Sequence, residues 1–271
     1  MDLGSGKLPG QIVSYQKGDG YWIVDGIKIW LYDIADPRQQ FDVMKYVDLA
    51  KEAIKKIELT GKLPILVGGT GLYFQALVLG IVDQQSSIDL EVRSELNNLS
   101  LDQLQEKLKL LSFESWDKLN DSDKSNPRRL VRAIEKSLEP DKRIKTEGLD
   151  SEYNILKIGL TAPKEKLRER INKRVENRLE MGMIEEVERL YSEGISWERM
   201  DQLGLEYGLL AQYCQQKITK ERFKELLNLK INQYAKRQWV WFKRDNQINW
   251  FDITEDDWQE KMTEQVTAWY N

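Results

Sequence analysis

Residues 64–79 read Pro-Ile-Leu-Val-Gly-Gly-Thr-Gly-Leu-Tyr-Phe-Gln-Ala-Leu-Val-Leu, and no other stretch limits the fold so tightly. Pro64–Val67 is a continuous apolar run suited to a parallel strand buried on both faces. Gly68–Gly71 makes a turn, and Leu72–Leu79 a short apolar helix. A helical pattern precedes them from about Val43 to Leu59, with Val43, Tyr46, Val47, Ala50, Ile54 and Ile57 on one face. Helix, strand, glycine turn and helix in that order predict an α/β fold with a parallel sheet. Ligands of such sheets bind beyond the carboxyl ends of the strands, where free amides and the dipole of the next helix converge. Gly68, Gly69, Thr70 and Gly71 are therefore a candidate anion pocket. Glycines serving only a tight turn are the competing reading, although a turn alone does not need the Thr70 hydroxyl.

Another glycine-containing stretch, Gly4-Ser5-Gly6-Lys7, raises the question of a nucleotide site. A phosphate loop requires G-x-x-x-x-G-K-[ST] after a buried strand, so that stacked amides cradle phosphate, the lysine neutralises it and the hydroxyl reaches magnesium. Here Leu8 follows Lys7, Leu63 follows Gly61-Lys62, and no strand can precede residue 1. The amino-terminal stretch reads as a flexible loop.

Composition narrows the class. With 271 residues, 41% hydrophobic and 32% charged, the chain can bury a substantial core. No apolar run approaches the ~20 residues of a membrane span, and no signal peptide is visible. The single cysteine, Cys214, rules out an internal disulfide, fits a reducing cytoplasm, and reads as a small helix-packing residue. There is no histidine, which excludes His-based triads, His-metal sites and imidazole acid–base chemistry within the polypeptide.

From Gln11 to Asp33, turns at Gly18-Asp19-Gly20 and Asp25-Gly26 separate three short strands. Residues 88–149 read as an all-helical insertion, with a helix at Leu101–Leu110 and another from Pro127 capped by Asn126. Residues 1–87 and 150–271 form the α/β core. In it a strand at Tyr153–Leu160 is followed by a helix carrying Leu167, Ile171, Val175 and Leu179 on one stripe. A helix then spans Lys220–Phe242, and Ile248–Phe251 is strand-like.

Cations gather in three places. Arg128, Arg129 and Arg132 lie in "NPRRLVRA", and Arg170, Arg174 and Arg178 recur every four residues along one helix row. Between Lys217 and Arg244 stand nine basic residues and two acidic ones inside a chain of net charge −4, so a phosphate backbone is the natural partner. Projected at about 100° per residue, Leu227, Ile231, Tyr234, Gln238 and Phe242 share a face, while Lys230, Gln233, Arg237 and Arg244 lie on another. Gln238 stands out there. A glutamine on an apolar face either has a protein partner or reads a ligand. Trp239, Trp241 and Phe242 are placed to stack on bases or to pack in a core.

The segments "LVGGTGLYFQALVLG", "DLEVRSEL", "NPRRLVRAIE", "RINKRVENRLEMGMIEEVERL", "LGLEYG" and "QYAKRQWVWFKRDNQINWFD" occur in the order seen in tRNA dimethylallyltransferases, and the resemblance covers essentially the whole chain. GGTGLY combined with KRQ-x-x-W-F is its most specific part. The resemblance implies a P-loop-kinase-like parallel sheet with helices on both faces and a helical insertion. It also implies transfer of a dimethylallyl group from dimethylallyl diphosphate to the N6 amine of the adenosine 3′ of the anticodon, assisted by Mg2+. Residue by residue, Thr70 is similar to the threonine near the reacting amine, and Gly68–Gly71 to the diphosphate pocket. Arg93, Arg128, Arg129, Leu130, Val131, Arg132, Gly204, Lys236, Arg237, Gln238 and Lys243 match positions at the tRNA. No residue of this chain is matched to the metal. The implied partners are a tRNA anticodon stem-loop and dimethylallyl diphosphate, with no membrane, for a cytoplasmic monomer.

Met1–Pro9 is similar to the family's "G-M-D-I-G-T-x-K-P", which follows its second strand. The resemblance thus implies that the first strand, the P-loop, the next helix and the Asp-Ser pair holding the base are absent, and that this chain is truncated and impaired in transfer. Two further departures bear on the site. The family's G-Y-[RK] is here Gly204-Leu205-Glu206, an anion in place of a cation, and its paired histidines are Ile29-Trp30. A noncatalytic tRNA-binding protein and a P-loop small-molecule kinase stand as alternatives.

Overall fold

A computed structural model describes all residues except 8–13, 81, 85–89, 139–142 and 146. The first residues of the strand expected from Gln11 and the expected boundary at 87/88 lie outside the described residues.

In chain order, β1 (Tyr15–Gly18), β2 (Tyr21–Val24) and β3 (Ile27–Trp30) are followed by α1 (Val43–Glu58) and α2 (Gly71–Val78). Then come β4 (Val82–Gln84), α3 (Leu90–Asn97), α4 (Leu101–Leu111), α5 (Phe113–Asp117), α6 (Asp121–Lys124), α7 (Pro127–Leu138) and β5 (Arg143–Lys145). The chain continues through β6 (Ile158–Thr161), α8 (Lys164–Glu180), α9 (Met183–Ser192), α10 (Trp197–Gln202), α11 (Leu205–Cys214), α12 (Lys220–Phe242), β7 (Asn249–Asp252) and α13 (Trp258–Tyr270). These elements form two compact units, residues 1–74 with 154–271, and residues 75–153.

In the first unit β1–β2–β3 is an antiparallel meander, its turns supplied by Gly20 and Gly26 at φ of 71° and 79°. Positive φ there is why the turn signals were legible. β6 and β7 pair in parallel, Ile158 opposite Asn249, so the two late strands meet as a parallel sheet requires. The core lies among helices: Ile171 and Val175 of α8, Met183 and Val187 of α9, Leu209 and Leu210 of α11, and Phe223, Leu227 and Ile231 of α12. Each such side chain contributes about 1.5–3 kcal/mol on burial.

The strand expected at Pro64–Val67 is not formed. Those residues pair with no strand among the described residues, and Ile65 and Val67 are 78% and 86% exposed. The physical reason is that a strand exists through its ladder partners, and an apolar run without one has neither hydrogen bonds nor a covered face.

Residues 1–7 are tied to the helices by one buried carboxylate. Glu186 accepts hydrogen bonds from the amides of Asp2 and Leu3, the latter at 2.7 Å, and from the Tyr207 hydroxyl at 2.6 Å. Lys7, the lysine of the glycine-lysine stretch, is ion-paired with Asp2 and Asp33, so its charge is spent on carboxylates. Burial raises the Asp33 pKa, but hydrogen bonds from Lys7 and Trp22 outweigh it and hold the carboxyl below its ordinary value. A lowered folded pKa stabilises above the unfolded value of about 4, and that stability is lost as pH falls through the folded value. Thermal melts by circular dichroism from pH 5 downward are expected to show a steeper acid loss for the unsubstituted chain than for Asp33→Asn.

The second unit has its own core. Leu96, Leu104, Leu108, Leu130, Val131 and Ile134 pack together between α3, α4 and α7. A Ser100–Gln103 capping box starts α4, and the Asn126 side chain accepts from the amide of Arg128 at the start of α7. The expectation of an all-helical segment is corrected here. β5 lies within it and pairs antiparallel with β4, Val82 opposite Lys145. Chain leaving and returning side by side satisfies its backbone groups as a ribbon, which helical periodicity does not reveal.

Candidate prenyl-transfer and RNA-binding site

The Gly68–Gly71 turn lies at the amino end of α2, where the Thr70 carbonyl accepts from the amides of Tyr73 and Phe74 at 3.0 and 3.2 Å. The turn is exposed at Thr70, and its glycines are needed for close approach rather than for left-handed backbone. A Cβ on Gly71 would fall 2.1 Å from the Trp241 ring, and one on Gly69 would fall 2.0 Å from the Gln238 amide nitrogen.

Both neighbours belong to α12. Gln238 Nε2 donates to the Gly69 carbonyl at 2.7 Å, and the Tyr234 hydroxyl lies 3.4 Å from that of Thr70. Phe242 meets Phe74 edge-on at 5.7 Å. Residues 234, 238, 241 and 242 are spaced as one helical face, so the same helix that buries Phe223, Leu227 and Ile231 carries the turn on its second half. Gln238 thus has a protein partner for its Nε2. Tyr46 of α1 stacks on Tyr73 at 4.7 Å and braces α2 from another side.

The basic residues of the same helix face solvent. Lys236, Arg237 and Lys243 are exposed, with the Arg237 guanidinium 5.7 Å from the Tyr234 ring centre and Lys243 5.9 Å from that of Trp239. Trp239 leans on Trp250 and Trp241 covers Gly71, so each ring is partly spent on packing and about 40% exposed.

In the second unit Arg93 forks onto Glu135, with Nε and Nη2 each 2.6 Å from a carboxylate oxygen, and Arg132 reaches the same carboxylate at 3.3 Å. Glu135 is 6% exposed. Arg129 pairs with Asp123, and Arg128 is exposed. Leu130 and Val131, expected at the tRNA, are buried in the core of the unit. Their alternation with arginines is that of an amphipathic helix, whose apolar stripe packs while the opposite face carries charge.

Gly204 precedes α11 at φ 122°, a conformation that glycine adopts readily. Beyond it, Glu206 lies 3.7 Å from Arg178. Burial raises the Glu206 pKa and, with help from neighbouring Arg174, lowers that of Arg178. The anion that replaces the family's cation is thus matched to an arginine of the α8 row. Arg178 is buried while Arg170 and Arg174 are exposed, so the row is not a uniform RNA-facing strip.

Among the described residues no three His, Cys, Asp or Glu side chains gather as a metal cage, and no helix is long and apolar enough to cross a membrane.

The profile of the family described as IPP transferase matches residues 23–245. The chain belongs to this family. A tRNA dimethylallyltransferase of Anoxybacillus flavithermus is 36% identical over 248 residues, covering 89% of this chain and 78% of its own. The crystal structure of a tRNA isopentenylpyrophosphate transferase from Staphylococcus epidermidis matches with a TM-score of 0.58 at 30% identity, over 88% of this chain and 80% of that one. A eukaryotic dimethylallyltransferase acting on tRNA shares the fold, with a TM-score of 0.63 at 21% identity over 88% of this chain and 63% of that one. Family members share the mixed α/β fold with many helices and a small sheet. Tyr234, Glu135 and Glu186 were not singled out by sequence reasoning. For Tyr234 the available signal was its place one turn before Gln238 on the same face.

Proposed function

We propose that the chain is a tRNA dimethylallyltransferase acting on the N6 amine of the adenosine 3′ of the anticodon, with a P-loop-kinase-like core. The observation that carries the proposal is the seating of the glycine turn on a basic helix, Gln238 Nε2 on the Gly69 carbonyl at 2.7 Å. One helix thereby offers cations to RNA phosphates on its solvent side and holds the turn on the other. The free amides of Gly68–Gly71 at the start of α2 receive the diphosphate as negative charge builds on it. Thr70 holds the amine of the flipped adenine. Lys236, Arg237 and Lys243 bind the backbone of the anticodon stem-loop, and the second unit, taken by itself, offers RNA phosphates Arg93, Arg128, Arg129 and Arg132. Magnesium, which the family implies, has no protein cage among the described residues, so no step is assigned to it.

One observation favours a second reading, RNA binding without transfer. Ile65 and Val67, which lead into the turn, are exposed, and an allylic cation requires a dry pocket. Incubation of the chain with an anticodon stem-loop and labelled dimethylallyl diphosphate separates the two. The proposal expects label on the adenosine 3′ of the anticodon and none when guanosine replaces it. Tight binding without label establishes the second reading, and neither binding nor label removes both.

A further inference from the structure

We propose that Tyr234 is a positioning residue for Thr70, an inference that rests on the prenyl-transfer reading above. The Thr70 backbone is fixed, because its carbonyl opens α2 and its neighbour Gly69 is held by Gln238. What remains free is the rotation of the Thr70 side chain and of its hydroxyl proton. A threonine hydroxyl has one proton to give and two lone pairs to offer. The phenol of Tyr234, 3.4 Å away, engages one of these and so decides where the others point.

Tyr234 is itself well placed to be rigid. It stands one turn before Gln238, whose hydrogen bond anchors that stretch of α12 to the turn, and it follows Ile231, which is 4% exposed. The Arg237 guanidinium over its ring adds a cation on the solvent side. Its ring is 39% exposed, at the rim rather than in the core, so its hydroxyl is not explained by packing.

The role is geometric. With the Thr70 proton directed to Tyr234 Oη, the Thr70 lone pairs face the adenine amine and accept one of its N–H groups, which aims the nitrogen at C1 of the prenyl group. In the transfer the N6–C1 bond forms, and the C1–O bond breaks with its electron pair leaving on diphosphate. One N6–H bond breaks, and its proton passes to solvent water. Tyr234 neither gains nor loses a bond to carbon.

The experiment uses the full chain, its Tyr234→Phe variant, and an anticodon stem-loop carrying 15N at N6 of the target adenosine. Binding to the unsubstituted chain is expected to move the amino proton resonance downfield. Tyr234→Phe should keep RNA affinity within about twofold while losing most of that movement, and should lower kcat about fivefold with KM for RNA unchanged, the scale of one neutral hydrogen bond. A ring serving only to pack would leave the phenylalanine variant indistinguishable from the parent in both readouts, and that result overturns the proposal. An amino resonance that does not move even in the parent complex also overturns it, since Thr70 then does not hold the amine. Absence of RNA binding by the parent removes the functional reading itself.

Discussion

Glu135→Ala is expected to destabilise the second unit by about 2–4 kcal/mol, below the top of the range for breaking a fully buried pair because Arg93 is partly exposed. Glu135 is 6% exposed and serves two arginines, with Arg93 in the forked geometry that makes a carboxylate pair strong. Its removal takes from the Arg93 guanidinium the carboxylate it forks onto, on a helix whose Leu130 and Ile134 lie in the core of the unit. Denaturant unfolding followed by circular dichroism reads the loss. Glu135→Gln retains shape and one acceptor and is expected to lose less. Equal stability of parent and alanine variant would mean that the carboxylate is not the anchor of α3 on α7.

The largest functional effect is expected from replacing Lys236, Arg237 and Lys243 together by alanine. All three are exposed on the solvent side of α12, so stability should change by no more than about 0.5 kcal/mol per site. RNA affinity should fall roughly 100-fold at moderate salt, because each phosphate left unneutralised keeps its counterions and their release no longer drives binding. The turn-holding side of the helix is untouched, since Gln238, Trp241 and Phe242 still pack on Gly69, Gly71 and Phe74. Reduced affinity with an intact fold separates gripping from scaffolding on one helix.

Much of the fold was legible because its signals are local. The limits expected for α12, roughly Lys220 to Phe242, are those observed, since a long periodic pattern marks a helix without reference to the rest of the chain; the structure adds Thr219 as its cap. The existence of two late strands was legible, at Tyr153–Leu160 and Ile248–Phe251, although the first forms only from Ile158 and their parallel pairing emerges in the fold. Pro64–Val67 failed for the opposite reason: composition states what a strand would bury, whereas the strand itself depends on neighbours that the run does not encode. The candidate site divides in the same way. The turn, Thr70 and the basic face were visible as residue types in sequence. The partner of Gln238 was not, because residues 69 and 238 meet only in the folded chain, and Leu130 and Val131 took the core face of a helix whose arginines drew attention to the other.

The proposed function requires that the basic face of α12 bind an RNA backbone while its opposite face holds the glycine turn. The most direct test is the salt dependence of anticodon stem-loop binding by the parent and by the Lys236, Arg237 and Lys243 triple-alanine variant. Plots of log K against log salt should be linear, the parent steeper than the variant by about 2–3, near 0.7–0.9 for each phosphate that the variant no longer neutralises. Parallel lines would show that α12 does not touch the RNA and would contradict the account.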